Sequence, residues 1–138
     1  MLQVSLPPGI PPGDLVGLGR ALRPLRERGV VAIGSGGIVH NLGRVAFDER
    51  DAPVDAWASA FDDWVRDRVA DRDDDTLLAY YDEGPAAALA VPTTEHLDPL
   101  FFVLGLRGDD DVLTVVHEGF QHANLSMRTF AFAPSNEG

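Results

Sequence analysis

The sequence predicts an α/β fold: a partial central sheet, mostly parallel or mixed, with helices packed on it. Three observations carry that expectation. Val30-Val31-Ala32-Ile33 is a short apolar run that ends in glycines, as a strand buried on both faces does. It follows a stretch with leucines at helical spacing, Leu15, Leu18, Leu22 and Leu25, so strand, helix and strand alternate as in a right-handed crossover unit. The third is the β-branched and apolar character of residues 112–116 and 126–132, which read as two further strands.

The elements follow in order. Residues 3–6 read as the end of a strand. The prolines at 7, 8, 11 and 12 exclude helix or central strand there, because proline lacks the amide donor. Asp14 is the expected N-cap of the first helix, Pro24 its kink or end, and Gly29 its stop. Val54, Trp57, Ala58, Phe61, Trp64, Val65 and Val69 make the clearest amphipathic helix. Asp62, Asp63, Arg66 and Asp67 fall on its expected solvent side, and the aromatic stripe on its core side. Asp71 to Asp75 reads as a solvated acidic turn, and residues 76–81 as a short helix. Another helix is expected to open at Pro92, with Leu97, Leu100, Phe101 and Leu104 as its apolar face. Residues 134–138 are expected to fray.

With 138 residues and a hydrophobic fraction of 45%, the chain has enough material for one core. Residues 1–138 are therefore read as a single domain. Lys and Arg number 11 against 22 Asp and Glu, a formal net charge of −11. That balance opposes a nucleic-acid footprint and docking on anionic lipid. No cysteine is present, which excludes disulfides, thiolate metal sites and Cys nucleophiles. No apolar run approaches the ~20 residues of a membrane span. The N-terminus lacks a basic segment before an apolar one, so no secretory signal is expected and a cytoplasmic location fits.

Two segments carry candidate chemistry. Gly34-Ser35-Gly36-Gly37-Ile38-Val39-His40 lets the chain turn sharply after a strand, at the end of the sheet where α/β proteins bind ligands. It is not a P-loop, and Val39 stands where a dinucleotide fingerprint needs glycine. On the residues alone, His40 is equally a functional histidine or a satisfied structural one. Pro92-Thr93-Thr94-Glu95-His96 would place His96 in the first turn of a helix, where the dipole favours neutral imidazole. Glu95 would point elsewhere on that helix. His117 and His122 are five apart with Gly119 between them, so they do not form a zinc-protease pair. Alternation along residues 126–130 turns Ser126 and Arg128 either toward a site or toward solvent.

Three blocks in order are similar to the DOPA 4,5-dioxygenase-type branch of the class III extradiol ring-cleavage dioxygenases. They are Gly34 to Leu42, Pro92 to Leu100, and Glu118-Gly119-Phe120 followed by Ser126-Met127-Arg128-Thr129-Phe130. The Phe61-Asp62-Asp63-Trp64-Val65 helix also resembles that branch, so the likeness covers nearly the whole chain. It implies the C-terminal half of that fold and opening of a catechol-type ring with O₂ at a non-haem metal. Fe(II) is the implied metal and zinc the alternative. It further implies that His40 is the acid/base or a metal ligand, and that His96 is a metal ligand or lies close behind one. Enzymes of the family are about twice as long, and Val91 stands where a histidine is frequent. The remaining ligands are therefore expected from an N-terminal half, and such a site wants about three protein ligands. Expected partners are a catechol-type substrate with O₂, and a complementary half or a second copy, since an uncovered sheet edge invites association. Two other readings stand beside the enzyme: a non-catalytic remnant or partner subunit, and a small domain that binds an aromatic ligand without turnover.

Overall fold

The computed structural model describes residues 1–135. Among the described residues, seven helices precede four short strands. Helix α1 (Pro12–Leu22) starts two residues before the expected cap. Pro11 occupies the cap position and Pro12 the first turn, where a fixed φ favours the helix and the missing amide costs nothing. Pro24 then opens a separate short helix, α2 (Pro24–Glu27), and Gly29, at φ 76°, turns the chain away.

The amphipathic segment forms α3 (Ala56–Asp71). Phe61, Val65, Ala58 and Val69 are buried, and Trp57 and Trp64 pack half-buried against the same core. Asp62, expected on the solvent side, is only 1% exposed. It is buried because Ser126 Oγ donates to its Oδ1 at 2.5 Å and Arg128 Nε to its Oδ2 at 2.8 Å. Arg128 is not a solvated side chain either: its side chain is 5% exposed and also pairs with Glu118. Left-handed Arg72 ends α3. Asp73 then caps α4 (Asp74–Leu78), and Asp74 pairs with Arg107 at 2.7 Å, so the acidic turn is a capping and ion-pairing device. The short helices α5 (Tyr80–Glu83) and α6 (Ala87–Ala90) lead to α7 (Asp98–Leu106).

Helices α1 and α7 meet at backbone distance. A Cβ on Gly19 would lie 2.1 Å from the Phe102 carbonyl oxygen, and one on Gly105 would lie 2.1 Å from that of Val16. Leu97, Phe101 and Leu104 face this core as the periodicity predicts.

The sheet departs from expectation. Strand β1 (Asp111–His117) pairs antiparallel with β4 (Thr129–Pro134), with a register shift between Val115 and His117. The pair β2 (Phe120–Gln121) and β3 (Leu125–Ser126) forms a second small antiparallel sheet. The 126–132 run is thus broken after Ser126. No central parallel sheet forms among the described residues. Residues 3–6 and 30–33 belong to no strand, and Val31 and Ile33 are 83% and 84% exposed rather than buried. The reason is local: an apolar run becomes a buried strand only when neighbours pair with it on both sides, and none here does. Of the expected frayed tail, Pro134 ends β4, and residues 136–138 lie outside the described residues.

Candidate metal centre

The glycine turn and the segment before α7 come together. Gly37 N donates to the His96 carbonyl at 2.7 Å. A Cβ on Gly36 would lie 2.1 Å from that same carbonyl oxygen, so only glycine permits the approach. His40 is fixed from three sides. Its own amide donates to the Ala90 carbonyl at 3.1 Å. Asn41 Nδ2 donates to the Leu89 carbonyl at 2.9 Å, and Asn41 N donates to Asn124 Oδ1 at 3.3 Å. Ser126 N donates to the Val39 carbonyl at 3.2 Å, tying the loop to β3. Asn124 is fully buried, and its Nδ2 has no partner among the described residues.

His96 does not sit in a helix. Pro99 occupies the first turn of α7, and the helix starts only at Asp98. Residues 92–97 therefore form bends and turns. This geometry lets Glu95 and His96, neighbours in sequence, face the same region, which a helix would forbid. Glu95 does not point elsewhere. Its Oε1 lies 3.8 Å from His96 Nε2, and one ligand atom each of His40, Glu95 and His96 lies within 4.8 Å of the others. Among the described residues this is the one group of three or more such side chains. The His40 and His96 rings stand 3.6 Å apart, tilted by 32°.

The electrostatics follow from that packing. Burial pushes the His40 pKa down, the neighbouring His96 pushes it further, and Glu95 opposes them. His40 is therefore neutral at neutral pH, the form that accepts a proton or binds a metal. The Thr93 hydroxyl, then the Glu95 amide and the two imidazoles, hold the exposed Glu95 carboxylate below its ordinary range. Asp98 behaves oppositely: burial, with the charge of Glu95, raises it against the hydrogen bond from Thr94.

A cleft of about 1030 Å³ opens beside the group, between the 30–38 segment, α7 and β4. His96 lines it and His40 does not, so the rings adjoin without both facing the large opening. His117 and His122 stay apart from the group. His117 ends β1. His122 sits in a left-handed turn with its Nδ1 3.1 Å from the Ala46 carbonyl. Sequence reasoning missed Glu95, Asn41 and Asn124. The helix-breaking Asp98-Pro99 step was the available signal for Glu95, because it moves the helix start past residue 95.

The donors present, two imidazoles and a carboxylate, are those of non-haem iron sites with open positions. Among the described residues, no helix is long and apolar enough to cross a membrane. Against known proteins, the chain is 31% identical to the 4,5-DOPA dioxygenase extradiol of Portulaca grandiflora over 136 residues, 94% of this chain and 48% of that one. It is 32% identical over 130 residues to the protein of the same name from Escherichia coli K12, covering 92% of this chain and 47% of that one. A crystal structure of an uncharacterized protein from Escherichia coli K12 superposes with a TM-score of 0.81 at 32% identity, over 91% of this chain and 52% of that one. The chain thus spans about half the length of the curated relatives it matches. The profile described as the catalytic LigB subunit of aromatic ring-opening dioxygenase matches residues 1–133, and the chain belongs to that family.

Proposed function

We propose that this chain carries part of a non-haem metal centre that opens a catechol-type ring with O₂. The observation that supports it most is the meeting of His40 with Glu95 and His96, drawn within 4.8 Å from segments more than fifty residues apart. In this reading His96 and Glu95 hold the metal, Fe(II) or zinc, and His40 is the proton-transfer group. The metal would supply Lewis acidity toward the substrate hydroxyls and, as iron, redox chemistry with O₂. His40, kept neutral by burial and by His96, accepts the hydroxyl proton on its free ring nitrogen and later returns it. The Ala90 carbonyl holds the His40 amide and the Leu89 carbonyl holds the Asn41 side chain, so the segment that carries the imidazole is already positioned. Two protein ligands fall short of the about three such a centre uses, so a further ligand is expected from outside this chain.

The test combines metal analysis of the purified chain with the appearance of a yellow ring-opened semialdehyde. His96→Ala should remove bound metal. His40→Ala should keep the metal and lose turnover; loss of both would make His40 a ligand. The chain alone should bind Fe(II) or Zn²⁺ weakly and turn over little. Strong cleavage with one tightly bound metal per chain would sink the incomplete-site reading. A second reading, a non-catalytic partner half, draws on the 47–48% coverage of the relatives. It predicts no metal in the chain under any reconstitution.

A further inference from the structure

We infer that Asp98 is a positioning residue for the candidate metal group: through the Thr94 hydroxyl it closes the turn that presents Glu95 and His96 beside His40. The inference deepens the metal reading. It rests on that reading for what the turn serves, though not for how the turn is held.

The carboxylate is buried without a counter-charge. Asp98 is 3% exposed. Asp62, buried like it, is met by the Arg128 guanidinium. Among the described residues Asp98 is met by one side chain, that of Thr94, whose hydroxyl donates to its Oδ2 at 3.1 Å. A carboxylate taken out of water loses more solvation than one neutral hydroxyl restores, so stability alone gives no reason for its place. Nor does Asp98 cap α7: Leu97 holds the cap position, and no side chain makes a capping hydrogen bond there. The positive end of the α7 dipole makes the charge tolerable without requiring it. Asp98 is not a further ligand either, since it lies outside the three residues whose donor atoms converge.

What the Thr94–Asp98 bond does is local. The Thr94 carbonyl accepts from both Leu97 N and Asp98 N at 2.9 Å. Main chain and side chain therefore both join residue 94 to residue 98, and the turn between them carries Glu95 and His96. Thr94 is exposed while Asp98 is buried, so the hydroxyl ties an outer turn to the interior. Two other attachments complete the placement. Thr93 Oγ1 donates to Glu95 Oε1 at 2.7 Å, and the His96 carbonyl accepts from Gly37 N at 2.7 Å, which docks the turn on the segment bearing His40. Of these attachments only the closure between residues 94 and 98 spans both donors. Groups that orient metal ligands from behind matter to binding, and their loss costs about 10–100-fold in metal affinity.

Two readouts test this: titration with Co²⁺, whose visible spectrum reports its ligand geometry, and nuclear magnetic resonance of the metal-free chain. Thr94→Val removes the hydroxyl at an exposed position and keeps the branched shape; Asp98→Ala removes the acceptor. Both should weaken Co²⁺ binding about tenfold or more and alter its spectrum. Both should also lose the cross-relaxation between the His40 and His96 rings, whose centroids stand 3.6 Å apart. Thr94→Ser and Asp98→Asn keep a donor and an acceptor and should match the parent in both readouts. The double variant should bind Co²⁺ no more weakly than Asp98→Ala alone, because the two side chains act as one unit. A general loosening of the fold would instead change the far-ultraviolet circular dichroism and would not be repaired by the conservative variants. His96→Ala separates the two readings. If it leaves Co²⁺ binding unchanged, or if the parent binds none, the metal reading fails and the ring contact alone decides what holds the turn. Ring contact at parental strength in Thr94→Val overturns the inference whatever the metal does. So does parental Co²⁺ affinity in Thr94→Val where His96→Ala abolishes binding.

Discussion

The two sides of α7 are built on opposite principles. On one side, α1 lies against it at backbone distance, Gly19 and Gly105 removing the side chains that would hold the helices apart; Phe101, Leu97 and Leu104 are buried there with Phe61 and Val65 in the common core. On the other side, Pro99, Leu100 and Val103 look into an open cleft, across which Val31 and Ile33 stand exposed. The same helix thus has one face covered by the chain's own side chains and one face that lines an open cleft. The group of His40, Glu95 and His96 sits at the seam. Its backbone is anchored through the Ala90 carbonyl and the Ser126 amide, while His96 lines the cleft. The close packing and the candidate metal group are separated in space, so substitutions on the two sides should sort by effect.

The largest effect is expected at the buried ion pair that ties the small strands to α3. Asp62→Ala would strand the Arg128 guanidinium, 5% exposed, without its main counter-charge. Removing one partner of such a pair costs about 3–5 kcal/mol, and chemical denaturation should show it. A loss under about 1 kcal/mol would mean that Glu118 and Asp63, already in contact with Arg128, can take over the charge. Next comes the helix contact. Gly105→Ala places a methyl 2.1 Å from the Val16 carbonyl oxygen, and forced separation of packed elements costs about 1–3 kcal/mol. Unchanged thermal stability would show that the closed side yields easily, and the comparison would lose its basis.

A third prediction concerns acid. Burial alone would raise the Asp111 carboxyl, but the Arg26 guanidinium, the Gly108 amide and the charges of Arg26 and Arg72 together hold it below its ordinary value of 3.8. Its pKa is lower folded than unfolded. The stability it contributes is therefore present above about pH 4 and is lost as pH falls through the depressed value. Asp111→Asn should flatten the stability profile below pH 4 and lower stability at neutral pH. An identical acid slope in both proteins would remove Asp111 from the account.

How much of this was legible in the sequence depends on where the determinants lie. The stripes of α3 and α7 were readable because Ala58, Phe61, Val65 and Val69, or Leu97, Phe101 and Leu104, repeat at the helical period inside one segment. Asp62 was not, because its partners Ser126 and Arg128 lie more than sixty residues away, and a charged residue next to a stripe reads as solvated. Glu95 was misread through the helix boundary: Pro99 delays α7 to Asp98, and the turn before it brings residues 95 and 96 to one place. The nearness of His40 and His96 was expected from a glycine turn and an element start returning to one edge, and the rings do adjoin. The parallel sheet was expected from Val30-Val31-Ala32-Ile33, whose composition is that of a buried strand. Composition, however, records what a segment is suited to, while pairing requires a neighbour that these residues do not supply.

The smallest expected effect tests that last distinction most directly. Ile33 is 84% exposed, and its backbone makes no hydrogen bond among the described residues. Replacing it with serine removes apolar area already in water, so no burial is lost and no cavity forms. Exposed positions of this kind change stability by no more than about 0.5 kcal/mol. Ile33→Ser should therefore leave the denaturation midpoint of the isolated chain unchanged and raise its solubility, because an exposed apolar run no longer favours association. Buried isoleucines behave otherwise: truncating one costs about 2–5 kcal/mol. A destabilisation of that size at Ile33 would mean that residues 30–33 are packed in the isolated chain in solution, by its own segments or by a second copy. The open side of α7 would then be closed after all. Concentration dependence of the midpoint would separate the two cases, since only packing between copies strengthens with concentration.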